Sequence, residues 1–358
     1  MHDTDALVIG AGPVGLFQVF QLGLLGLTVH AVDALPQPGG QCAALYPHKP
    51  IYDVPGIPQC TGEQLAAHLL EQAKPFTGTA HSHIHLGELV ESVTPRQDGS
   101  PGYVVVTQTG QTFQTKVLVI AAGAGAFVPR SMKIAGLDEA SVQARHLHYY
   151  LPEENGQTAP WAGQHVLVAG GGDEALSAAQ TLALQIGSDQ GPRQVSLMHR
   201  RDQFQAEPEL EAAVRRLIQA GQIQWIQGMP DHAELDDAQR LTALHVLGAD
   251  GAVNAHAVDH ILIRQGLSPK LGPLSDWGLT LERKQIPVDV STFQTELPGI
   301  FAVGDINTYP GKKRLLVCGF HEATMAAYAA RDGLHPDEPH HLQYTTTSSL
   351  LKQRLGVA

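Results

Sequence analysis

The chain has 358 residues, of which 43% are hydrophobic, and its formal net charge is −12 at pH 7. This length corresponds to about two domains, and an acidic balance without a basic stripe excludes a nucleic-acid-binding surface. The longest apolar stretch, residues 16–32, is interrupted by polar side chains, and the acidic residues 1–5 do not resemble a signal peptide. We therefore predict a cytoplasmic protein without a membrane segment.

The first predicted elements form a βαβ unit. Residues 5–9 are a short apolar run, residues 16–25 form an apolar helical stretch, and residues 27–32 return to a strand pattern. The turn between the strand and the helix, residues 10–15, reads GAGPVG and matches the dinucleotide-binding fingerprint. Because glycine-rich turns are common, this strand-turn-helix-strand context carries the prediction of a nucleotide site.

Each glycine of this turn has its own physical role. Gly10 permits the tight turn, Gly12 lets the backbone approach a pyrophosphate, and Gly15 lets the helix pack on the strand. We assign these glycines, with Pro13 between them, to a dinucleotide site. The second strand ends at Asp33, whose carboxylate accepts hydrogen bonds from an unmodified ribose, so FAD is the predicted ligand.

A second unit of the same design begins at residue 165. The turn that follows its apolar strand consists of Gly170, Gly171, Gly172 and Asp173. An alanine-rich helix and a further strand complete the unit, and these turn residues are predicted to hold a second dinucleotide. That further strand ends in His199, Arg200 and Arg201. Because paired arginines suit a 2′-phosphate, NADP is the predicted ligand of this unit.

The order of these motifs predicts that the second domain is inserted into the first. Residues 117–123 are typical of the point where a chain leaves a flavin domain, and residues 295–305 form the strand that returns to it. Asp305 ends that strand, where it can accept hydrogen bonds from ribityl hydroxyls. We predict an α/β fold with two Rossmann-like dinucleotide-binding domains. Their predicted bounds are residues 1–122 with 291–358 for FAD, and residues 123–290 for NADP.

Several short motifs occur in an order and at a spacing that resemble one known family. They are residues 10–15, LPQPGGQ at 35–41, LYP at 45–47, IYD at 51–53, GGGD at 170–173, HRRDQF at 199–204 and Gly304-Asp305. The chain resembles the thioredoxin-reductase-like ferredoxin/flavodoxin–NADP reductases over nearly its whole length. The resemblance implies a homodimeric FAD enzyme that moves electrons between NADPH and a one-electron carrier, ferredoxin or flavodoxin.

The same resemblance implies further site residues. Tyr46 would stack on one face of the isoalloxazine, with Gln41 and Asp53 near the flavin. Gln205 stands where relatives usually have another arginine of the 2′-phosphate clamp. The carboxy-terminal tail resembles one that reaches the flavin of the other subunit, with Tyr344 as a candidate covering aromatic. The FAD site would also include Val93, Phe127 and Thr346.

No pair of cysteines is placed to relay electrons. Thioredoxin reductases carry a C-x-x-C before their second glycine fingerprint, where this chain has residues 145–150 without a cysteine. Glutathione-reductase-like enzymes use a cysteine pair after the glycines of the first domain, but Cys42 has Pro47 at the partner position. Since a single cysteine cannot form an intramolecular disulfide, we interpret Cys42 as a packed residue.

Without a thiol relay, the flavin must pass electrons to the acceptor. We predict hydride transfer from NADPH to flavin, followed by single-electron steps to the carrier. No catalytic side chain is assigned because the cofactor carries the chemistry. Lys312, Lys313 and Arg314 follow Asp305 and are predicted to dock an acidic carrier. Two alternatives stay open: an NADPH-dependent flavin reductase or diaphorase acting on small acceptors such as quinones, and a non-catalytic flavoprotein redox sensor.

The histidines do not complete a recognised metal site. The chain has 19 of them, and His81, His83 and His85 alternate along one predicted strand. No acid or cysteine accompanies them in a recognised metal-binding pattern. A surface strand explains the alternation, so no metal is predicted.

Overall fold

The computed structural model describes residues 1–78, 82–151, 160–338 and 341–357, and gives only the backbone for residues 126–129 and 267–269. The chain forms two compact units. Unit 1 consists of Met1–Ala126 and Pro269–Ala358, and unit 2 of Phe127–Ser268. His81, one of the alternating histidines, lies outside the described residues.

These unit boundaries differ from the predicted domain bounds, most strongly where the chain returns to unit 1. The sequence predicted a return at residue 291, but residues 269–290 already belong to unit 1. Within this segment Leu274, Leu279 and Ile286 are buried in a core of unit 1. The apolar residues 300–302 give a strong sequence signal for a strand that returns to the first domain. The short elements within residues 269–290 have no periodic pattern that reveals where they pack. The inserted unit is therefore shorter than the predicted domain.

Strands outnumber helices along the described parts of the chain. The strands are β1 His2–Ile9, β2 Val29–Asp33, β3 Pro50–Ile51, β4 Cys60–Thr61, β5 His83–Leu86, β6 Val90–Pro95, β7 Tyr103–Thr107, β8 Thr112–Ile120, β9 Ala126–Pro129, β10 Leu147–His148, β11 His165–Ala169, β12 Gln194–His199, β13 Gln224–Gln227, β14 Met229–Leu235, β15 Leu241–Leu247, β16 Val253–Ala257, β17 His260–Ile263, β18 Leu267–Lys270, β19 Ile286–Pro287, β20 Ile300–Ala302 and β21 Asn307–Thr308. The α-helices are α1 Pro13–Leu24, α2 Gly40–Ala44, α3 Gly62–Ala73, α4 Ala140–His146, α5 Asp173–Leu184, α6 Pro208–Gln219, α7 Leu316–Leu334 and α8 Ser349–Leu355. Short 3₁₀ turns occupy Lys74–Phe76, Gly272–Asp276 and Gly304–Ile306. Within the described ranges, no helix combines the length and apolar character needed to cross a bilayer.

The main sheet of unit 1 is mostly parallel. Its strand order is β5-β2-β1-β8-β7-β6, and β20 also pairs with β8. β5, β2, β1, β8 and β20 run parallel, whereas β6 and β7 are antiparallel additions. Leu7 and Val8 of β1 are both fully buried, which explains why the central strand is a continuous apolar run. The carboxyl ends of the parallel strands share one edge, where the first glycine turn lies.

Unit 2 repeats this design with a shorter sheet. The sheet order is β10-β17-β11-β12-β13, and every pair is parallel. β11, α5 and β12 correspond to β1, α1 and β2 of unit 1. A separate antiparallel sheet, β14-β15-β16, contributes Leu241, Leu244 and Val246 to a core that also contains Leu167 of β11.

Two contacts of α1 position the first turn. Helix α7 comes close to the start of α1, since a Cβ on Gly319 would lie 2.5 Å from Cγ2 of Val14. At the other end of α1, Nη1 of Arg354 donates to the carbonyl of Leu24. Arg354 belongs to α8, which begins after Ser348, whose hydroxyl accepts a hydrogen bond from a backbone N–H of that helix. The tail of the chain is thus attached to the helix of the first fingerprint.

Candidate functional site

The first glycine turn joins β1 to α1. Gly10 has a φ of +108°, and a Cβ there would lie 2.4 Å from the carbonyl oxygen of Ala121. A Cβ on Gly15 would lie 1.8 Å from the carbonyl oxygen of Gly10, so the helix packs directly on the turn. Pro13 occupies the start of α1, where its missing N–H leaves no helical hydrogen bond unmade. These residues therefore shape the turn.

Gly12 differs from its neighbours because nothing in the described structure requires a glycine there. Its φ is −71°, which any residue adopts, and it precedes α1 without a side-chain cap. The nearest atom to an added Cβ is the Cα of Gly40, at 3.7 Å. The bare backbone at Gly12 thus leaves room beside the first N–H groups of a helix, which is the arrangement of an anion-binding site.

Asp33 ends β2 beside this turn. Its Oδ2 accepts a hydrogen bond from the N–H of Ala11 at 2.6 Å, and its Oδ1 accepts one from the N–H of Leu35 at 2.8 Å. Burial raises the pKa of Asp33 above its ordinary value, and these two hydrogen bonds act in the opposite direction. Each oxygen keeps further acceptor capacity, so the carboxylate can also bind a hydroxyl group.

Tyr46, Asp53 and Asp305 lie close together in unit 1. The hydroxyl of Tyr46 is 3.4 Å from Sγ of Cys42 in α2. Burial raises the pKa of Tyr46, and the contact with Cys42 and the negative charges of Asp305 and Asp53 raise it further. Tyr46 and Asp305 are half-buried, whereas Asp53 is exposed. The fold thus brings Asp305 within electrostatic range of Tyr46, although the two residues are far apart in the sequence.

Gln41 lies in α2, whose start contacts the first glycine turn. A Cβ on Gly40 would lie 2.8 Å from the Cα of Gly12, so the two backbones touch. Nε2 of Gln41 lies 3.3 Å from the position that a Cβ on Gly123 would occupy. Gly123 follows the carboxyl end of β8, so Gln41 stands at the same edge of the sheet as the turn.

A buried ion pair that the sequence did not predict holds the Gly304-Asp305 turn. Oε2 of Glu322 accepts hydrogen bonds from the N–H of Gly304 at 2.7 Å and from Nδ2 of Asn307 at 2.9 Å. Nζ of Lys312 donates to the carbonyl of Gly304 at 2.8 Å and to Oε1 of Glu322 at 2.5 Å. The side chains of Lys312 and Glu322 are 6% and 0% exposed. Both polar groups of the Gly304 backbone are therefore fixed by this pair.

The prediction that Lys312 docks the electron carrier is wrong, because its ammonium is buried against Glu322. The signal that could have revealed the buried ion pair is Glu322, a single acid in the mostly apolar first part of α7. Lys313 and Arg314 are exposed. Nη2 of Arg314 donates to Oε1 of Gln285 at 2.9 Å. The exposed basic surface beside Asp305 thus consists of Lys313 and Arg314.

The second glycine turn joins β11 to α5 in unit 2 and has the same design as the first. A Cβ on Gly170 would lie 2.0 Å from the carbonyl oxygen of Arg264, so this position is closed to side chains. Gly172 caps α5 with an ordinary φ of −102°, and the nearest atom to its added Cβ is 3.7 Å away. Oδ1 of Asp173 accepts a hydrogen bond from the N–H of Glu207 at 2.7 Å, which fixes the following loop.

Positive charge follows β12 beside this turn. The ring of His199 covers Gly171, since a Cβ there would lie 2.7 Å from its atoms. Burial lowers the pKa of His199, and the charges of Arg200 and Arg201 lower it further. Both arginines are exposed, and neither guanidinium has a hydrogen bond or ion pair within the part of the chain that the structure describes. The pair is therefore free to bind an anion from solution.

Three predicted FAD residues are not brought to the first turn by the described structure. Val93 lies in β6, which β8 and β7 separate from β1, and its side chain is buried in the core. The side chain of Phe127 lies outside the described residues. Thr346 lines a cavity of about 510 Å³ with the carboxyl end of α1, whereas the glycine turn lies at the other end of this helix, about 18 Å away. A contact of Thr346 with the flavin of a partner subunit stays a prediction.

The cysteines have the properties of packed residues. Cys42, Cys60 and Cys318 are free thiols, and the first two are buried. Burial raises the pKa of Cys42 and of Cys60, so both are protonated at neutral pH. Since the thiolate is the reactive form, neither residue is activated for redox chemistry.

Comparison with known proteins identifies the family. The chain matches the family described as pyridine nucleotide-disulphide oxidoreductase over residues 4–332. A ferredoxin–NADP reductase of Leptothrix cholodnii is 49% identical over 355 residues, which cover 99% of this chain and 92% of the relative. A ferredoxin–NADP reductase of Paracidovorax citrulli is 47% identical over 362 residues, covering 99% of this chain and 97% of the relative.

Solved structures agree with this assignment. The thioredoxin reductase of Lactococcus lactis matches with a TM-score of 0.57 and 25% identity, covering 93% of this chain and 99% of its own. The bacillithiol disulfide reductase of Staphylococcus aureus matches with a TM-score of 0.59 at 15% identity, covering 94% of this chain and 100% of its own, and supports the fold alone. The predicted fold class and family resemblance are confirmed. The chain therefore belongs to the pyridine nucleotide-disulphide oxidoreductase family, has two Rossmann-like nucleotide-binding domains, and uses FAD and NADP(H).

Proposed function

We propose that the chain is a ferredoxin–NADP reductase, which transfers electrons between NADPH and a one-electron carrier, ferredoxin or flavodoxin. One observation carries this function: two glycine turns with room for a pyrophosphate stand beside strand ends of opposite charge. Asp33 follows the first turn, and Arg200 with Arg201 follows the second. The names and the 47–49% identity of the full-length relatives support the same activity.

The residues around the first turn fit FAD. The space at Gly12 would be filled by any side chain, so it suits a pyrophosphate bound to the amino end of α1. Asp33 has acceptor capacity for a ribose hydroxyl, and Asp305, next to the fixed Gly304, would accept hydrogen bonds from the ribityl hydroxyls. Bound at this turn, FAD supplies the change between two-electron and one-electron transfer. The residues assigned to its binding are Gly10, Gly12, Pro13, Gly15, Asp33, Gln41, Tyr46, Asp53 and Asp305.

The residues around the second turn fit NADP(H). Gly172 offers the same kind of space at the start of α5. Arg200 and Arg201 provide two exposed guanidinium groups, whose planar donor arrays match phosphate geometry. The ring of His199 packs on Gly171 of the turn, beside the arginine pair. Gly170, Gly171 and Asp173 shape this turn.

In this proposal the protein's own side chains bind and orient the cofactors, which carry the chemistry. The raised pKa of Tyr46 keeps its phenol protonated at neutral pH, and its contact with Cys42 fixes the ring. Asp305 is positioned by the backbone of Gly304, which Lys312 and Glu322 hold at both its N–H and its carbonyl. The roles proposed for these residues are those of orientation and charge.

Replacing Gly12 with alanine is expected to leave the fold intact and to weaken FAD binding by roughly tenfold or more. The new methyl group meets no protein atom closer than 3.7 Å, but it occupies the space assigned to the pyrophosphate. The ratio of flavin to protein absorbance after gel filtration measures the loss. Gly333→Ala in α7 is the matched control, because an added Cβ there has no neighbour within 4 Å and no assigned ligand. Full retention of FAD by Gly12→Ala would contradict the placement of the pyrophosphate.

An anaerobic titration with NADPH, followed by addition of a carrier, tests the proposed function. NADPH is expected to bleach the flavin absorbance, and oxidised ferredoxin or flavodoxin is expected to restore it. In steady state, cytochrome c reduction should then depend on the added carrier. Rapid direct reduction of quinones or free flavin without a carrier would instead favour the diaphorase alternative. Negligible turnover with every acceptor would favour the redox sensor.

We infer that Lys313 and Arg314 form the docking surface for the acidic carrier. Both are exposed, and they follow Lys312, which is bonded to Gly304 beside Asp305. The double variant Lys313→Glu, Arg314→Glu is expected to lower kcat/KM for ferredoxin by about tenfold at low salt, with the difference shrinking at high salt. Flavin reduction by NADPH should not change. The control Lys74→Glu changes an exposed lysine directly after α3 in unit 1. An equal loss of kcat/KM in this control would contradict docking at Lys313 and Arg314.

We further propose that the enzyme is a cytoplasmic homodimer. The free cysteines agree with a reducing compartment. The tail exposes several large apolar side chains, which suits contact with a second copy of the chain: Leu342, Tyr344 and Leu350. Sedimentation equilibrium of the FAD-loaded protein distinguishes a dimer from a monomer.

A further inference from the structure

Three histidines from three neighbouring strands of unit 1 converge at one edge of the sheet. His2 begins β1, His30 lies in β2 and His85 lies in β5, and these strands are side by side. Nδ1 of His30 and Nε2 of His85 are 2.9 Å apart. The ring centroid of His2 lies 5.1 Å from that of His30 and 5.0 Å from that of His85. One nitrogen from each ring lies within 4.8 Å of the other two.

This cluster is separate from the nucleotide site of the same unit. His2 begins β1, whereas Gly10 follows its carboxyl end, and a strand of eight residues spans about 23 Å. His30 lies three residues before Asp33 in β2, and His85 pairs with Val32. Because successive side chains of a strand point to opposite faces, His30 and Asp33 lie on opposite faces of the sheet. The cluster therefore uses none of the residues assigned to the nucleotide.

We propose that His2, His30 and His85 bind one divalent transition-metal ion with the ligand preference of zinc. Imidazole nitrogen is a preferred zinc ligand, and three histidines with water complete a tetrahedral site. Zinc–nitrogen bonds of about 2.0–2.1 Å place tetrahedral ligand atoms about 3.3 Å apart. His30 and His85 need to separate by a few tenths of an ångström, and His2, the second residue of the chain, needs to move toward them. The imidazole that donates in the present hydrogen bond shifts its proton to its other ring nitrogen.

The surroundings support a bound cation. The ring of Phe113 packs against His2, His30 and His85, with centroid separations of 5.0, 5.8 and 5.0 Å, and so limits their movement. The buried carboxylate of Glu88 interacts electrostatically with His85. It also accepts hydrogen bonds from Thr109 at 2.6 Å and Gln111 at 2.8 Å. A fixed negative charge near the ligands favours a cation, as carboxylates next to metal-bound histidines do.

Other histidine contacts in the protein lack this convergence. His232 and His245 stack with their centroids 4.0 Å apart, and His148 bonds to His260 at 3.0 Å. Considering only the described residues, the cluster of His2, His30 and His85 is the group in which three ligand atoms meet. His83, which alternates with His85 on β5, is exposed and lies outside the group, although its ring centroid is 5.0 Å from that of His85. It therefore provides a matched control.

Equilibrium dialysis of tag-free, FAD-loaded protein against zinc sulfate, after removal of metals with a chelator, tests this proposal. The wild type and His83→Gln are expected to bind one zinc per chain with similar affinity. His2→Gln and His85→Gln are each expected to weaken binding by at least about tenfold. His30→Gln should do the same, and the two other variants keep the test valid if this buried position does not tolerate change. Flavin absorbance reports that each variant is folded.

Thermal unfolding provides a second readout that does not depend on counting metal. Zinc should raise the unfolding midpoint of the wild type and of His83→Gln, because it binds only the folded site, and should leave that of His85→Gln unchanged. Three results overturn the proposal: no saturable zinc binding by the wild type, equal losses in His83→Gln and His85→Gln, or unchanged binding in all three site variants. Weak binding of several zinc ions per chain in every variant would identify an adventitious ion only.

Discussion

Glu322→Leu is expected to lower the free energy of unfolding by about 3–5 kcal/mol, because it leaves one charge of a buried ion pair without its partner. Nζ of Lys312 would keep the carbonyl of Gly304 but lose its carboxylate, and the N–H of Gly304 would lose its acceptor. Since this pair fixes the turn that carries Asp305, retention of FAD should fall with stability. Denaturant unfolding followed by circular dichroism measures the first effect, and the flavin-to-protein absorbance ratio measures the second.

Two further variants show whether burial of the pair causes this effect. Lys312→Met should be less damaging than Glu322→Leu, because the carboxylate would keep donors from Gly304, Asn307 and Tyr309. Glu338→Gln removes the charge of an exposed carboxylate that pairs with Arg331, and should change stability by no more than about 1 kcal/mol. Equal losses in Glu322→Leu and Glu338→Gln would show that the buried pair does not hold the turn.

The double variant Arg200→Ala, Arg201→Ala is expected to lower kcat/KM with NADPH by about 100-fold or more and to leave that with NADH nearly unchanged. A hydrogen bond to a charged group contributes about 1.5–3 kcal/mol, and about 1.4 kcal/mol is a factor of ten. Loss of one bond from each guanidinium therefore accounts for two orders of magnitude. NADH lacks the 2′-phosphate and loses nothing. Steady-state kinetics with both nucleotides and a saturating acceptor measure the ratio.

Conservative and distant replacements sharpen this test. Lysine at both positions keeps the charge but not the planar donor array, so its selectivity should be intermediate. Arg240→Ala removes an exposed arginine elsewhere in unit 2 and should affect neither nucleotide. A parallel loss with NADPH and NADH would assign the arginine pair a general role in folding or domain movement. Unchanged selectivity would place the 2′-phosphate elsewhere.

The two nucleotide-binding units were predictable because their signals are local. A buried parallel strand, a glycine turn and an amphipathic or alanine-rich helix lie next to one another in the chain, so spacing alone specifies how they fold. Asp33 and the arginine pair follow directly from this geometry, since Asp33 ends β2 and the arginine pair directly follows β12. The fingerprint also implies why Gly10 and Gly15 are glycines: an added Cβ at either position would clash with a backbone carbonyl oxygen.

The features that were not predicted depend on contacts between distant segments. Lys312 resembles a surface cation in the sequence, and only the fold places Glu322 of α7 against it. Residues 269–290 contain short elements without periodicity, so the sequence did not show that they pack in unit 1. The histidine cluster combines three strands, of which the alternating pattern in the sequence revealed only one. Burial of these polar groups is decided by tertiary packing, which local patterns do not encode.

Arg354 has an electrostatic consequence for cofactor binding at the far end of α1. Aligned peptide groups give a helix a partial negative charge at its carboxyl end and a partial positive charge at its amino end. The guanidinium bonded to Leu24 neutralises the negative pole of α1. The amino end of the same helix is the pole assigned to the anionic pyrophosphate. The carboxy-terminal segment thus completes the charge balance of this helix about 18 Å from the pole assigned to the pyrophosphate.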